Sequence, residues 1–533
     1  MKTVPLGPFL GINNRLLPFA LHVDKQGDFL LAADNVDVDN SGRVRSRVCG
    51  ERLVEMTGAH SLQMVSETAG YLVRSSVLYA ITMPVYAETL VKILATDDDV
   101  RYLNVAGEWH YSNGTDMGRL ENTTAYPIGI PTPVSPTATL ISGGLLTGKY
   151  LVATSHCRKS ASVLLEEGGI SPFLSVERTT TGGFRVALPA AVAGATHINI
   201  YLSACNGSLP YLLATVAAGT ATYDVVALPG GREANGRIEA PLLAGRLFEH
   251  NGRLCSFSGK DVCIGSPHRP GYFLPAEGRL HFPENVSIAI SAQTGVFLAA
   301  DKTYWIPGDL GNVQGQIVDV LPYGAVPGTE FTIPDSPDVG WFGAMGPVIA
   351  NTQGQAVAVT NDQIDLSPPT SGFSTVLTSR GYQRVVSCGW CLNLENHAAT
   401  QYSEWGFTSV SDGLGTKPDG IYLVDSDSPV DCNVGFGEQD FGTDALKHLP
   451  AVYASVSSET PMALSVSCAD GRNDAEEYTY LARSFSDEVK AHRFDPGKGL
   501  RSGRFRLSMQ NTDGSPFVLA SISFAPTVSN RRI

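Results

Sequence analysis

Residues 246–257 read RLFEHNGRLCSF, and residues 295–306 read GVFLAADKTYWI. Both stretches alternate short apolar segments with polar or glycine-containing turns. The second stretch recurs upstream at residues 70–81, GYLVRSSVLYAI, where Tyr and Ile again lie nine and eleven positions after Gly. A pair of strands cannot bury its apolar face alone, so units of this size are normally stacked. The repeat therefore predicts the blades of a β-propeller.

The composition of the whole chain favours the same fold class. Its 533 residues include 55 Gly and 32 Pro, and only 17% of them are charged. Val, Ile, Thr, Tyr and Phe dominate the apolar segments, and a helical period of 3.6 residues is rare. This pattern predicts an all-β protein with many turns.

The spacing of comparable glycines predicts the domain organisation. They lie at positions 70, 107, 252, 295, 346 and 389, so one interval, of 145 residues, is far longer than the others. The excess is about 100 residues, the size of one β-sandwich. We therefore expect a propeller of about six units that is interrupted by an inserted domain. The predicted domains are 1–125 (an N-terminal arm and first blades), 126–240 (the insert), 241–410 (the remaining blades) and 418–533 (a C-terminal β-sandwich).

The insert follows a proline-rich linker at residues 127–136, PIGIPTPVSP. Its order of motifs is Tyr150-Leu-Val-Ala, Glu167-Gly-Gly-Ile-Ser-Pro, Ile198-Asn-Ile-Tyr and Tyr223-Asp. This order resembles fibronectin type III-like modules. In the C-terminal domain, residues 504–509 and 517–524 alternate between apolar and polar. The Asp513-Gly514 turn between these two segments predicts a hairpin.

The charge of the chain argues against nucleic acid as a partner. The net charge of −14 does not attract phosphate backbones, so no specific nucleic acid is expected. The one candidate basic patch is expected to be a solvated sheet face and tail. It comprises Lys498, Arg501, Arg504, Arg506, Arg531 and Arg532.

The N-terminal residues lack the continuous apolar segment of a signal peptide. No run of about 18 apolar residues occurs, so no membrane insertion is expected. The chain is therefore predicted to be made in a cytosol. Its nine scattered cysteines fit reduced thiols better than a disulfide framework.

Several acidic runs are candidates for a catalytic pair. They are Asp97–Asp99, Glu166–Glu167 and Glu476–Glu477. Neighbouring residues of a strand point to opposite faces, so adjacency is not evidence of a pair. The Asp-box pattern of propeller sialidases, Ser-x-Asp-x-Gly-x-x-Trp, does not occur in the sequence. The chain is predicted not to be an enzyme, and no catalytic, cofactor or metal residue is assigned.

The remaining motifs are expected to be structural. Asp37, Asp39 and Gly42 match only a fragment of a calcium loop and fit a hairpin better. Cys388 and Cys391 form a CxxC that lacks the surrounding helix of a redox site and the further ligands of a zinc site, although His397 follows. His110 and the tryptophans are expected in strands and cores rather than as ligands or sugar platforms. The tryptophans considered are Trp305, Trp341 and Trp405.

The N-terminal motifs carry a resemblance to a known group. Residues 11–15, GINNR, are followed by ADNVDVDNSGRVRSR at 33–47, which resembles the N-terminal signature of tailed-bacteriophage virion proteins. Gly50 matches the end of that signature loosely, and Cys49 departs from it. Residues 302–304, 321–328 and 339–341 resemble the propeller of the same group. Residues 504–519 resemble its C-terminal sandwich.

The resemblance implies a non-enzymatic structural protein of the virion tail, at the tail tip or baseplate. Other tail proteins, further copies in a symmetric homo-oligomer and a host cell-surface receptor are the implied partners. The first alternative is a nozzle- or hub-like protein below the portal that lines the DNA exit channel. A decoration of the head is another position in the virion that suits such a protein. A propeller glycosidase acting on host surface glycans is the second alternative. A free adhesin is disfavoured because it should carry an export signal.

Overall fold

The computed structural model describes residues 4–23, 25–234, 240–267, 269–311, 317–426, 428–469 and 477–529. Every regular element in these ranges is a β-strand, which confirms the all-β prediction. No helix within them is long and apolar enough to cross a membrane. The chain divides into two compact units, residues 1–64 with 297–306 and 317–533, and residues 65–296 with 307–316.

Seven four-stranded arrays follow one another along the described chain, the sixth as one end of a nine-stranded sheet. Each is a meander of strands that are near neighbours in sequence, except that the seventh is completed by an N-terminal strand. With semicolons between the seven arrays, which follow in chain order, the strands are Ala59–Ser66, Ala69–Arg74, Val77–Thr82 and Ala87–Ile93; Arg101–Val105, Glu108–Ser112, Met117–Glu121 and Thr124–Tyr126; Arg246–His250, Arg253–Ser258, Asp261–Cys263 and Arg279–His281; Ile288–Ala292, Gly295–Ala299, Thr303–Pro307 and Val318–Leu321; Phe331–Thr332, Val339–Gly343, Gly346–Ala350 and Ala356–Ala358; Ser374–Ser379, Tyr382–Ser387, Trp390–Asn393 and Ala399–Gln401; Ser409–Ser411, Leu414–Lys417, Gly420–Leu423 and Glu51–Glu55.

The repeated sequence unit is a strand, a turn and a second strand, but its glycine is not the turn residue. Gly70 lies inside the strand Ala69–Arg74, and the turn is made by Ser75 and Ser76, whose φ angles are 52° and 60°. Two-residue hairpin turns need positive φ at their central residues, and two small serines adopt it here. The predicted turn at Gly70 is therefore wrong, whereas the turn predicted at Gly252 is confirmed.

Residues 137–225 form two sheets around one core. A three-stranded sheet comprises Thr137–Leu145, Gly182–Ala187 and Thr222–Val225. A five-stranded sheet comprises Gly148–Ser160, Val163–Glu167, Leu174–Arg178, His197–Ser203 and Pro210–Ala217. Phe184 and Val225 from the first sheet pack with Tyr150 and Leu202 from the second. The two sheets share this apolar core, and the pair is called the sandwich of residues 137–225.

The C-terminal residues build a second pair of sheets together with strands from the N-terminus. A six-stranded sheet comprises Val4–Leu6, Val36–Val38, Val44–Ser46, Val452–Ser458, Ser486–Phe494 and Phe517–Phe524. The facing strands are Ala32–Asp34, Asn433–Gln439, Ala463–Cys468, Glu477–Leu481 and Phe505–Gln510. One core cluster joins both sheets, including Leu464, Met509 and Phe524.

The hairpin predicted across Asp513-Gly514 is wrong. Phe505–Gln510 pairs with Ala463–Cys468, while Phe517–Phe524 pairs with Val452–Ser458 in the other sheet. The turn therefore carries the chain from one layer of the sandwich to the other. Alternation of apolar and polar residues is the same in both arrangements, so the sequence pattern could not distinguish them.

The remaining strands form small sheets. Phe9–Ile12 and His22–Val23 flank Gly27–Leu30, Ala240–Pro241 pairs with Tyr272–Phe273, and Lys447–His448 pairs with Thr527–Val528.

Candidate functional site

A polar cavity of about 360 Å³ lies in the unit of residues 65–296. One wall is the four-stranded array of residues 101–126, and another is the five-stranded sheet of the inserted sandwich. Charged side chains dominate its lining. The charged and aromatic residues are Glu108, His110, Arg119, Arg158, Glu166, Glu167, Arg232, Arg269 and Tyr272.

Strand geometry aligns the residues of the first wall. Glu108 and His110 lie two positions apart in Glu108–Ser112, so both face the same side. Arg119 lies directly opposite His110 in the neighbouring strand. Its Nη1 is 3.2 Å from Oε1 of Glu108. This wall therefore presents an ion pair to the cavity.

The sandwich wall contributes a second ion pair through its own register. Arg158 and Glu166 are directly opposite each other in adjacent strands. The Nε of Arg158 lies 3.4 Å from Oε2 of Glu166, and its Nη2 lies 3.8 Å from Oε1 of Glu108. One guanidinium thus bridges the carboxylates of the two walls. The Glu108 side chain is 44% exposed and that of Glu166 is 20% exposed, so water reaches both.

Tyr272 holds the Glu166 side chain in position through a hydrogen bond. Its hydroxyl donates a hydrogen bond of 2.9 Å to Oε1 of Glu166 and accepts one of 2.7 Å from the backbone N–H of Ile130. Burial raises the pKa of Tyr272 far above its usual value, and the Glu166 carboxylate adds to this. The phenol therefore stays protonated and remains a donor. The guanidinium of Arg269 lies over the Tyr272 ring, 4.7 Å from its centroid.

Glu167 has a different role from its neighbour. Its Oε1 accepts hydrogen bonds from Ser155 (2.6 Å), from Asn199 (2.8 Å) and from the Tyr201 hydroxyl. Its Oε2 pairs with Arg232. Burial by itself would raise the pKa of Glu167, but these hydrogen bonds outweigh burial and lower it. Glu167 is a fixed anion that joins strands of the sandwich.

His110 is buried in the wall of the cavity and is neutral near pH 7. Burial lowers its pKa to about 4, although the nearby Glu108 opposes this shift. Its Nδ1 lies 3.1 Å from the backbone oxygen of Glu108. The prediction that His110 is a satisfied strand residue agrees with this contact.

The other residues singled out in the sequence do not meet at a site. Cys391 is buried with its Sγ 3.5 Å from Oδ1 of Asp37, and burial raises its pKa. Cys388 lies in a turn, and burial raises its pKa as well. Neither thiol is activated. None of the nine cysteines forms a disulfide.

Asp39 stabilises the predicted hairpin, whereas the side chain of Asp37 contacts Arg384 outside it. Val36–Val38 pairs with Val44–Ser46, which confirms the hairpin. Asp39 Oδ1 accepts hydrogen bonds from the backbone N–H groups of Ser41 and Arg43, at 2.9 and 3.0 Å. Across the described ranges, no group of three or more His, Cys, Asp or Glu side chains is arranged to hold a metal ion.

The candidate aromatic platforms and the basic patch have structural surroundings. Trp305, Trp341 and Trp405 are all buried. Arg506 pairs with Glu438 at 2.8 Å, and the guanidinium of Arg504 lies 5.0 Å from the ring centroid of Phe19. Arg531, Arg532 and Glu476 lie outside the described residues.

Of the cavity residues, only His110 and the pair Glu166–Glu167 stood out in the sequence. The two glutamates contact separate sets of partners, as their adjacency in a strand predicts. The other cavity residues gave no signal because they are distant in sequence, four of them in three separate sheets and two of them, Arg232 and Arg269, in loops. They are Glu108, Arg119, Arg158, Arg232, Arg269 and Tyr272.

No protein-family model matches the chain, and no curated protein matches it. Solved structures do match. The exo-β-1,3-galactanase of Phanerochaete chrysosporium is 9% identical, with 90% of this chain and 99% of that chain covered, at a TM-score of 0.20. A glycoside hydrolase family 43 arabinoxylan arabinofuranohydrolase from Bacillus subtilis is 9% identical, with 75% and 96% covered, at a TM-score of 0.18.

A third match is the extracellular domain of a putative hybrid two-component system from B. thetaiotaomicron. It is 10% identical at a TM-score of 0.20, and the chain covers 60% of its length. The prediction that the protein is not an enzyme is not retained, since two of these three matched proteins are glycosidases. None of the three is a phage protein. At these TM-scores the likenesses carry no argument about a reaction, which has to come from the cavity itself.

Proposed function

We propose that the protein is a glycosidase and that the cavity at Arg158 is its active site. The observation that carries the proposal is the pair Glu108 and Glu166, held on opposite walls by one guanidinium. Their contacts with Arg158, at 3.4 and 3.8 Å, limit the separation of the two contacting oxygens to about 10 Å, and this limit includes the roughly 5–10 Å spacing of glycosidase carboxylate pairs. A cavity of about 360 Å³ falls within the common range of small-ligand sites.

The two carboxylates have different surroundings and are assigned different roles. Tyr272 and Arg158 hold Glu166 in one orientation, which suits the base that removes a proton from water. Glu108 is the more exposed and supplies the proton to the leaving glycosidic oxygen. The water oxygen then forms a bond to the anomeric carbon as the glycosidic C–O bond breaks.

The proposal extends to the fold. The seven four-stranded arrays have the strand pattern of propeller blades, and we take them as blades of a β-propeller. The sandwich of residues 137–225 is taken as a fibronectin type III-like insert, and the C-terminal sheets as a second sandwich. In this arrangement the insert forms one wall of the active site.

The test is release of reducing ends from a panel of bacterial surface polysaccharides. The wild-type protein is expected to release them, and Glu166→Gln and Glu108→Gln are each expected to slow release by about 10²-fold or more. Gln keeps the shape of Glu and can still accept the hydrogen bond of Tyr272, so the cavity should persist.

The matched control is Glu177→Gln, which changes an exposed carboxylate of the same sandwich outside the cavity. It should keep the wild-type rate. Equal rates for Glu177→Gln and Glu166→Gln would remove the assignment, and a panel that yields no reducing ends would remove the activity.

A second candidate function is a component of a bacteriophage tail, at the tip or baseplate or as a nozzle-like protein. The motifs at residues 11–15 and 33–47 support it by their resemblance. The two functions are compatible, because a tail protein that cleaves host surface glycans would use both. Immunogold labelling of virions with antibody against residues 418–533 tests it. Label at the distal tail supports the tip, label at the head–tail junction supports the nozzle, and unlabelled particles contradict both.

A further inference from the structure

We propose that the glycan bound in this cavity is acidic and that Arg158 binds its anionic group. The proposal rests on the glycosidase function, since it concerns the ligand of the same cavity. The anionic group is a carboxylate or a phosphate on a sugar, because a guanidinium fork matches both.

The first argument is the donor capacity of Arg158. A guanidinium has five N–H donors, yet the buried Nε of Arg158 donates no hydrogen bond to any described residue. Its contacts with Glu166 and Glu108, at 3.4 and 3.8 Å, exceed ordinary hydrogen-bond lengths of about 2.7–3.2 Å. The Nε is itself out of reach of a ligand, but the side chain as a whole is 19% exposed, so its Nη donors are the ones that a ligand acceptor can reach.

The second argument is the charge of the cavity lining. Four arginines and three glutamates line it, and His110 is neutral because its pKa is about 4. Glu121 also approaches Arg119, at 3.6 Å, but its side chain is 54% exposed and does not line the cavity. With all three glutamates ionised the lining carries one positive charge more than it carries negative charges. The excess is two when Glu108 holds the proton that it donates, although the whole chain is acidic.

The third argument is the way in which two of the arginines are already used. Arg232 is paired with Glu167 inside the sandwich, and Arg119 is paired with Glu108 at 3.2 Å. Arg158 is 19% exposed and lies between the two proposed catalytic carboxylates. An anionic sugar that contacts Arg158 would hold its glycosidic bond near both of them.

The test is binding of the full-length protein to an array of uronic-acid, phosphorylated and neutral glycans at low and high salt. Retention should favour the acidic glycans roughly 10-fold or more, the factor that one charge-assisted hydrogen bond supplies. Raising the salt should weaken the preference. Uronic-acid glycans retained without phosphorylated ones would identify the carboxylate, and the reverse would identify phosphate.

Two variants separate charge from shape. Arg158→Gln should abolish the preference for acidic glycans, and Arg158→Lys, which keeps the charge without the fork, should retain only part of it. Arg185→Gln, at an exposed arginine of the same sandwich, is the control and should bind as the wild type does.

The outcomes also separate this proposal from the function on which it rests. Retention of neutral glycans alone, or a preference that survives in Arg158→Gln, would overturn the acidic ligand and leave the glycosidase standing. No retention of any glycan, together with no release of reducing ends, would overturn both.

Discussion

Two of the clusters of arginine, carboxylate and tyrosine among the described residues differ in their access to water. In one, Asp37 and Arg384 are each 1% exposed, with Nε of Arg384 3.3 Å from Oδ2 of Asp37. Tyr382 donates a 3.1 Å hydrogen bond to the same Oδ2, and Tyr402 donates to Oδ1. In the other, Glu108 and Glu166 approach Arg158 in a cavity that solvent enters.

Solvent access and hydrogen-bond satisfaction distinguish the structural cluster from the candidate site. Around Asp37 both carboxylate oxygens have donors from the protein, and Arg384 also donates to Ser379 and Tyr402. A cluster that is closed and satisfied in this way holds strands together. Around Arg158 the contacts are longer and its Nη donors are within reach of a ligand, which leaves capacity for one.

The largest effect on stability is expected at the closed cluster. Asp37→Asn should lower the free energy of unfolding by about 3–5 kcal/mol, because it leaves the Arg384 charge buried without its counter-charge. Urea unfolding followed by tryptophan fluorescence measures this, since Trp405 lies 5.3 Å from Tyr402. Asp365→Asn, whose carboxylate is 81% exposed, is the control. Equal unfolding midpoints for the two variants would contradict the structural role.

An intermediate effect is expected at Glu167, the satisfied carboxylate beside the cavity. Glu167→Gln should cost about 1–3 kcal/mol at pH 7, because four donors lose an anionic acceptor. The folded pKa is lowered, so the carboxylate stabilises above its unfolded pKa of about 4.3 and this stabilisation is lost as the pH falls through the folded value. The difference between the urea midpoints of the wild type and of Glu167→Gln should therefore be smaller at pH 3 than at pH 7. A difference as large at pH 3 as at pH 7 would contradict the account.

At pH 7 a smaller effect is expected from His110, which is buried in the wall of the cavity and neutral at that pH. Its folded pKa of about 4 lies below the unfolded value of about 6.5, so protonation favours the unfolded chain and stability falls as the pH drops below about 6.5. NMR of the imidazole should show a titration midpoint near 4. A midpoint above 6 would mean that the cavity wall is wetter than the structure shows.

The smallest effect is expected at an exposed pair. Arg185 and Asp224 contact each other at 2.6 and 2.8 Å through two hydrogen bonds, but their side chains are 51% and 44% exposed. Arg185→Gln should leave the urea midpoint unchanged, because solvent screens such pairs. A clear drop in the urea midpoint would show that the geometry of an ion pair matters more than its exposure to solvent. It would weaken the distinction between the two clusters.

Local patterns in the sequence predicted much of the fold. The motif at residues 198–201 predicted a strand of the insert, His197–Ser203, and the alternation of Val36 and Val38 predicted their hairpin. These features depend on neighbours in the chain, which a sequence displays directly. The strands Val163–Glu167 and Leu174–Arg178 were missed, because Val163, Leu164 and Leu165 are apolar yet exposed.

Long-range pairing was beyond the sequence. Val4–Leu6 pairs with Phe517–Phe524, and Glu51–Glu55 completes a sheet with Gly420–Leu423. Nothing in a single sequence links positions that far apart, so the N-terminal arm was placed with the blades alone. The cavity was hidden for the same reason, since Glu108, Arg158 and Tyr272 meet only through three separate sheets.

The most direct measurement is a structure of the Glu166→Gln variant with a bound oligosaccharide taken from the polysaccharide that the wild type cleaves. The account predicts a glycosidic oxygen between residues 108 and 166, with an acidic group of the sugar on the guanidinium of Arg158. An oligosaccharide bound elsewhere on the chain, with this cavity empty, would contradict it.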